Sequence, residues 1–451
     1  MINATTLFII GLFLLVASGV LVGELFSHLG QAPLVGQLLV GVLLGPSLLG
    51  PSLGLTSSTL TTEFSGLETL ATFFILLIAG LSISPQSLRS TGVASALLGI
   101  AIFFPPFIVG SALVHLLYPS MSGYEALFVG LTISITALPV LGVMLREFEL
   151  LDTPFGSLLM NASVVNELSA VTVFAILLRV STGTSSGFVA VGISIGTVLL
   201  FLGTVVAVYL LFRFLVSRPA VWKRIRRGFQ ETWRTREAGF ALLIVAALAS
   251  ALYSQYLGLT FVVGAFYAGF LITPEVTGKQ THREISGVLD TVGWGFFIPL
   301  FFVLVGFGTN FRTLGASPVA IGAFGALVIY AVASKFLAGS SASLSLGRSS
   351  QESFCTGFLV VSRGAVELAM AVILESAGIF NTATFTIVAG VGLITTIISP
   401  IGARPLVRAV LASWHRDRRE DLPAAAAVRD EKFPNPPPPG GSRPPLPGLP
   451  P

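Results

Sequence analysis

The stretch VGQLLVGVLLGP, Val35 to Pro46, returns later in the chain as VGAFYAGFLITP, Val263 to Pro274. At one constant offset Val35 meets Val263, Gly36 meets Gly264, Gly41 meets Gly269, Leu43 meets Leu271 and Pro46 meets Pro274. The same offset lays Phe73-Phe74, opening FFILL, on Phe301-Phe302, opening FFVLV. It also lays Ser134-Ile135-Thr136 on Ser362-Arg363-Gly364. One match would be coincidence among common residues; three blocks in register are hard to dismiss. The two copies start an odd number of hydrophobic segments apart, so they enter a membrane from opposite sides. Inverted repeats in a hydrophobic chain mark secondary transporters, with the substrate site near the bilayer midplane.

Composition supports a membrane setting. The 451 residues are 53% hydrophobic and 10% charged, with mean hydropathy +0.89. Soluble domains carry about 25% charged residues. The apolar runs are continuous, which excludes a transmembrane barrel with its alternating strands. Cys355 is the only cysteine, so no disulfide framework exists. His28, His115, His282 and His415 are scattered, and no Cys/His cluster points to a metal. No Gly-rich phosphate loop ending in Lys-Ser/Thr is present, so ATP hydrolysis is not expected. No enzyme chemistry and no cofactor are expected. The net charge of +4 comes from loop lysines and arginines and does not point to nucleic acid.

Hydropathy predicts about 13 spans, near 6–27, 33–50, 66–86, 93–118, 124–146, 154–180, 186–217, 237–256, 259–273, 285–308, 317–345, 351–378 and 381–411. The first lacks a basic n-region and a small-residue cleavage site, so it reads as a retained span. The longest basic loop holds Arg218, Lys223, Arg224, Arg226, Arg227, Arg234 and Arg236. The positive-inside rule puts this loop in the cytoplasm. Arg89, Arg146, Lys279, Arg283, Arg348 and the Arg404–Arg419 cluster then fall on the same side, with the N-terminus outside. From about Asp421 the chain turns polar and then Pro-rich, which predicts a disordered or polyproline-like tail.

Two spans carry helix breakers at matching places in the repeats. Span five, LTISITALPVLGVML, contains Pro139; span twelve, GFLVVSRGAVELAMAVI, contains Arg363-Gly364. Proline removes a backbone donor, and glycine weakens a helix. Both segments read as discontinuous helices, tolerated at bilayer depth only where protein or a wet cavity satisfies the backbone.

Four ionisable residues stand deep in spans: Glu167, Lys335, Arg363 and Glu367. A carboxylate at bilayer centre costs roughly 2.5–3.5 kcal/mol on insertion scales. Low dielectric disfavours its charged form, so a proton and a cation can compete for Glu167. Asn166 beside it adds a neutral oxygen, and Ser134 and Thr136 offer hydroxyl and backbone oxygens, which suit a hard cation. The plainer reading makes Glu167 the structural partner of a buried base. Lys335 is either a buried counter-charge or a group that releases a proton when cation binds. Arg363 and Glu367, four apart on one helix, are placed to pair with each other.

Six segments in order resemble the monovalent cation/proton antiporter superfamily, nearest to its Kef-type and plant cation/H+ exchanger branch. They are LVGQLLVGVLLGPSLLG, SITALPVLGVMLRE, VVNELSAV, FFIPLFFVLVGFGTNF, SKFLAG and SRGAVELAMAVI, and the resemblance covers roughly residues 6–411. It implies an all-α polytopic membrane protein with two inverted repeats and crossed discontinuous helices. It implies a homodimeric, elevator-like exchanger of K+ or Na+ for H+ in the lipid bilayer of a bacterial-type inner membrane. Within a 1–411 transporter domain, the dimer panel would be about 6–86 and 237–308. The moving core would be about 93–180 and 317–411, the linker helix about 186–217, and the tail 412–451. The family's acidic pair falls on Asn166-Glu167, with Glu where Asp is usual. Asn at the first position leaves Lys335 without the acidic partner of electrogenic relatives, which implies electroneutral exchange. Without a nucleotide-binding domain after span thirteen, ligand-gated efflux of the Kef kind is not expected. A cation channel and a symporter of a small organic anion stay open as alternatives.

Overall fold

The structure, a computed structural model, describes residues 4–29, 31–49, 57–83, 92–151, 153–182, 188–218, 238–274, 279–314 and 318–432. Arg89, most of the basic loop (219–237) and the Pro-rich stretch 433–451 lie outside the described residues. The described chain is helical throughout, with no strand. Internal hydrogen bonding of each segment is what hydrocarbon demands.

The first half comprises α1 (Ala4–His28), α2 (Pro33–Leu44), α3 (Ser57–Leu81), α4 (Val93–Ala101), α5 (Phe104–Leu117), α6 (Gly123–Ser134), α7 (Leu138–Glu147) and α8 (Pro154–Thr182). A single helix, α9 (Phe188–Val216), follows. The second half comprises α10 (Ala238–Tyr256), α11 (Phe261–Leu271), α12 (Lys279–Val292), α13 (Ile298–Gly308), the short α14 (Phe311–Leu314), α15 (Pro318–Ser345), α16 (Ser350–Leu359), α17 (Ala365–Ser376) and α18 (Thr382–Lys432).

Nine of the described helical segments are long and apolar enough to cross a membrane, and three more apolar helices are shorter. With the broken α16/α17 pair they coincide with the expected spans. Several boundaries differ. Span two stops at Leu44, where Gly45-Pro46 cannot continue a helix. Span three starts at Ser57, well before residue 66. Span four is two helices, because Pro105-Pro106 restart it as α5. Span ten starts at Lys279 and contains a π-helical turn, Gly293–Phe297, between the polar α12 and the wholly apolar α13. The last helix runs past residue 411 to Lys432, carried by good helix formers such as the AAAA run, so the tail expected from 412 begins helical.

Prolines punctuate this architecture. Pro33, Pro105, Pro139 and Pro299 each sit in the first turn of a helix. At a true helix start such as Pro33 or Pro139 the missing N–H has no intrahelical partner to lose, whereas Pro299 follows the π-helical turn directly.

The repeat is visible in the packing. α2 lies along α13 as α11 lies along α3, and α1 packs on α2 as α10 packs on α11. The glycines at these crossings have no room for a side chain. A Cβ on Gly36 would stand 2.6 Å from the Val22 carbonyl oxygen, and one on its counterpart Gly264 2.3 Å from that of Ser250. Such small residues let apolar helices approach to backbone contact. α4–α8 and α15–α18 pack chiefly among themselves, as do α1–α3 with α10–α13.

Successive spans alternate in direction and define two faces. The N face, where α1 begins, gathers the turns near 45–49, 118–122, 257–260, 309–310 and 377–381. The C face, where α18 leaves, gathers those near 29–32, 148–153, 272–274 and 346–349.

Candidate functional site

α6 ends at Ser134, the chain runs extended through Ile135 (φ −76°, ψ 142°) and Ala137 (φ −77°, ψ 108°), and α7 restarts at Leu138. In the second repeat α16 ends at Leu359 and α17 restarts after Gly364. The two interruptions cross at the centre of α4–α8 and α15–α18. The Ala137 N–H donates to the Ser362 carbonyl (3.2 Å), and the Thr136 hydroxyl donates to the Val360 carbonyl (2.9 Å). Gly364 passes so close that a Cβ there would lie 2.6 Å from that of Ala137.

Asn166 and Glu167 come from the middle of α8, and both are fully buried. Asn166 spans the first interruption. Its Oδ1 accepts the Thr136 N–H (2.8 Å), and its Nδ2 donates to the Ser134 carbonyl (3.1 Å). Glu167 Oε1 accepts the Leu138 N–H at 3.4 Å. That N–H belongs to the first turn of α7, whose positive dipole end favours a carboxylate. Glu167 Oε2 has no hydrogen-bond partner among the described residues, and Glu167 makes no ion pair there. It is the one ionisable residue lining an otherwise apolar cavity bounded by Leu34, Ile78, Val140, Trp294 and Phe302.

Lys335, on α15, is also fully buried. Its Nζ donates to the Ile102 carbonyl (2.9 Å) and to Thr136 Oγ1 (2.7 Å). The Ile102 carbonyl is free because its helical partner four residues on is Pro106, which has no N–H. Ile102 and Pro106 thus hold Lys335, a role whose signal in the sequence is the Pro105-Pro106 pair inside span four. Arg363 Nη1 donates to the Thr132 carbonyl (2.6 Å) and faces Glu367 Oε2 at 3.7 Å, so these two do pair.

The expected oxygen shell is placed differently from its expectation. Ser134 Oγ donates to the Leu131 carbonyl, Thr136 Oγ1 is shared between Lys335 and Val360, and both amide atoms of Asn166 are engaged. These groups surround Glu167 as the frame of the crossing, and Glu167 alone offers a free carboxylate oxygen to the cavity.

Crossed helix breaks around a buried carboxylate, in two inverted repeats, define the secondary-transporter class. The chain belongs to the sodium/hydrogen exchanger family: the family model described as "Sodium/hydrogen exchanger, transmembrane" matches residues 12–409. Among curated proteins it is 29% identical over 376 residues to Cation/H(+) antiporter 18 of Arabidopsis thaliana, covering 81% of this chain and 44% of that protein. It is 28% identical over 414 residues to the Na(+)/H(+) antiporter NhaS4 of a Synechocystis strain, covering 88% and 96%. The chain thus spans less than half the length of the plant relatives it matches. The fold is that of the sodium proton antiporter MjNhaP1 from Methanocaldococcus jannaschii at pH 8, with TM-score 0.70 at 15% identity over 90% of this chain and 99% of that one. It is an integral membrane protein.

Proposed function

We propose that this protein exchanges a monovalent cation, K+ or Na+, for protons, with Glu167 as the exchange site. One observation carries the reading: a fully buried carboxylate faces the cavity with a free oxygen and has no ion-pair partner among the described residues. A proton and a cation would then compete for one oxygen pair, and competition for a single site is exchange. The fixed frame of Asn166, Thr136 and Lys335 holds the Leu138 N–H against the carboxylate. Each turnover swaps one positive charge for another on Glu167, which supports electroneutral exchange as long as Lys335 keeps its charge state. The printed names of relatives, a cation/H(+) and a Na(+)/H(+) antiporter, agree with this class.

In this reading α1–α3 and α10–α13 form the static panel of a homodimer. α4–α8 and α15–α18 form the core that carries Glu167 across it, with α9 as linker. The C face is cytoplasmic in a bacterial-type inner membrane. A cavity that reaches the carboxylate from one half of the protein supports alternating access over an open pore.

The test is purified protein in proteoliposomes with a lumenal pH dye and clamped potential. Addition of KCl or NaCl, but not choline chloride, collapses an imposed pH gradient in wild type and not in Glu167→Gln. Indifference to both cations rejects antiport and turns the search to channel conduction or organic anions.

A further inference from the structure

Among the described residues, polar contacts across the boundary between panel and core gather at the N face. The cavity above Glu167 occupies the C-face half. It is bounded by Leu34 at the start of α2, Ile78 near the end of α3, Val140 in α7 and Trp294 ahead of α13. Leu34 and Ile78 stand at the C-face ends of their helices, and Phe302 of α13 bounds the cavity at its deep end beside Glu167.

The N-face half is closed by polar contacts between the same two bodies. The Asn310 N–H donates to Thr386 Oγ1 on α18 at 2.9 Å. Arg179, one turn from the end of α8, donates from Nη1 to the Gly258 carbonyl in the α10–α11 turn at 3.1 Å. Around the first contact the fit is close. A Cβ on Gly308 would meet the Phe385 ring at 3.4 Å, and one on Gly390 would meet the Phe311 ring at 3.1 Å. The turn that makes this contact is itself pinned to the panel. Ser47 Oγ donates to the Thr309 carbonyl (3.0 Å) and accepts the Phe311 N–H (3.0 Å), and Arg312 Nε donates to the Ser47 carbonyl (3.1 Å). Ser47 thus makes the 309–312 turn a rigid part of the panel, and Thr386 is where the core meets it.

We infer that the Ser47-anchored turn at 309–312, docked on Thr386, together with Arg179 on Gly258, is the clasp that shuts the N face and thereby opens Glu167 to the C face. Thr386 and Arg179 are positioning residues: they touch no transported ion and act by fixing which side the carboxylate faces. This inference rests on the alternating-access reading above. A clasp made in one state and broken in the other shifts the balance of states by its differential energy. Losing two hydrogen bonds shifts that balance about tenfold.

The experiment uses the full chain with Cys355, which is buried, changed to Ser, and a single reporter Ala365→Cys on the cavity wall. A membrane-impermeant maleimide is applied to intact host cells and to inverted vesicles. In the parent the reporter is labelled predominantly from the C-face side. In Thr386→Val/Arg179→Gln the rate of labelling from the N-face side rises about tenfold over the parent's, while the C-face rate, set by the majority state, falls little. Unchanged sidedness and rate in a well-folded variant overturns the clasp. Should the double variant not fold, Asn310→Cys/Thr386→Cys in the Cys355→Ser background carries the test. Oxidation stops cation-driven proton flux and reductant restores it; full flux in the cross-linked protein overturns the clasp. Parent protein with no cation-dependent flux rejects the antiport reading instead, and the labelling result stands apart from that outcome.

Discussion

At the first helix break, Ser134 to Leu138, the freed backbone is held by the Asn166 amide, which bridges Thr136 and Ser134, and by the Glu167 carboxylate, which accepts the Leu138 N–H. At the second, Leu359 to Ala365, the freed backbone is held by Thr396, whose hydroxyl donates to the Arg363 carbonyl at 3.2 Å, and the local charge pair is Arg363 with Glu367. In each repeat the final helix, α8 or α18, supplies the polar group that bridges its own break. α8 also sets Glu167, with a free Oε2, on the cavity beside its bridge, whereas Glu367 at the second break lies against Arg363 and off that cavity. The two crossings match in backbone and differ in charge: in the proposed function the exchange site belongs to the first of them.

That contrast predicts a graded set of effects. Glu167→Gln has the largest: cation-dependent proton flux disappears, while the melting temperature in detergent holds, since the amide still fills the site. Flux that persists would move the exchange site to the second crossing. Arg363→Met leaves Glu367 buried without its partner and costs about 3–5 kcal/mol, read as loss of thermal stability and of folded yield. The double change Arg363→Met/Glu367→Leu is milder than the single one, because replacing both members removes the unpaired charge. Asn166→Ala strands the Thr136 N–H and the Ser134 carbonyl and costs about 2–6 kcal/mol, at about 1–3 kcal/mol for each buried orphan. Thr396→Val removes one hydrogen bond at the other crossing and costs about 1 kcal/mol in the same melting assay. Equal costs for Asn166→Ala and Thr396→Val would erase the asymmetry drawn between the repeats.

Much of this was legible in the letters because it breaks local rules. Pro139 and Arg363-Gly364 are wrong for continuous helices, and Glu167 is wrong for hydrocarbon, so each announces a tertiary reason. The duplicated glycines were legible too, since close helix approach leaves so few alternatives. The break at Ile102–Phe103 was not read, although Pro105-Pro106 mark it, because the run around it is uniformly apolar. Its use depends on Lys335, a contact 233 residues away in sequence. The roles of Ser134 and Thr136 were equally hidden. Short hydroxyl side chains bond nearby carbonyls when they can, and Ser134 does so with Leu131, so the residue type could not say which way the oxygen points. Span boundaries shifted where a proline ended or restarted a helix, as at Pro46 and Pro105, and where the polar α12 joined the apolar α13.

The π-helical turn at Gly293–Phe297 shows what a single residue can do for phase. Upstream, α12 keeps Arg283 and Glu284 exposed; downstream, α13 is buried nearly all round. A continuous α-helix would impose one angular setting on both. The wider turn inserts an offset between them, and Trp294 swings onto the cavity wall while Phe297 stacks on Phe74 with ring centroids 4.4 Å apart. Deleting one residue there would close the turn into α-helix and rotate one side against the other by roughly 100°. The cavity would lose its indole, and α13 would meet α2 on a different side. Helices that cross a membrane are often described by length, but here the decisive variable is rotation about the axis, and the chain sets it by counting one residue more.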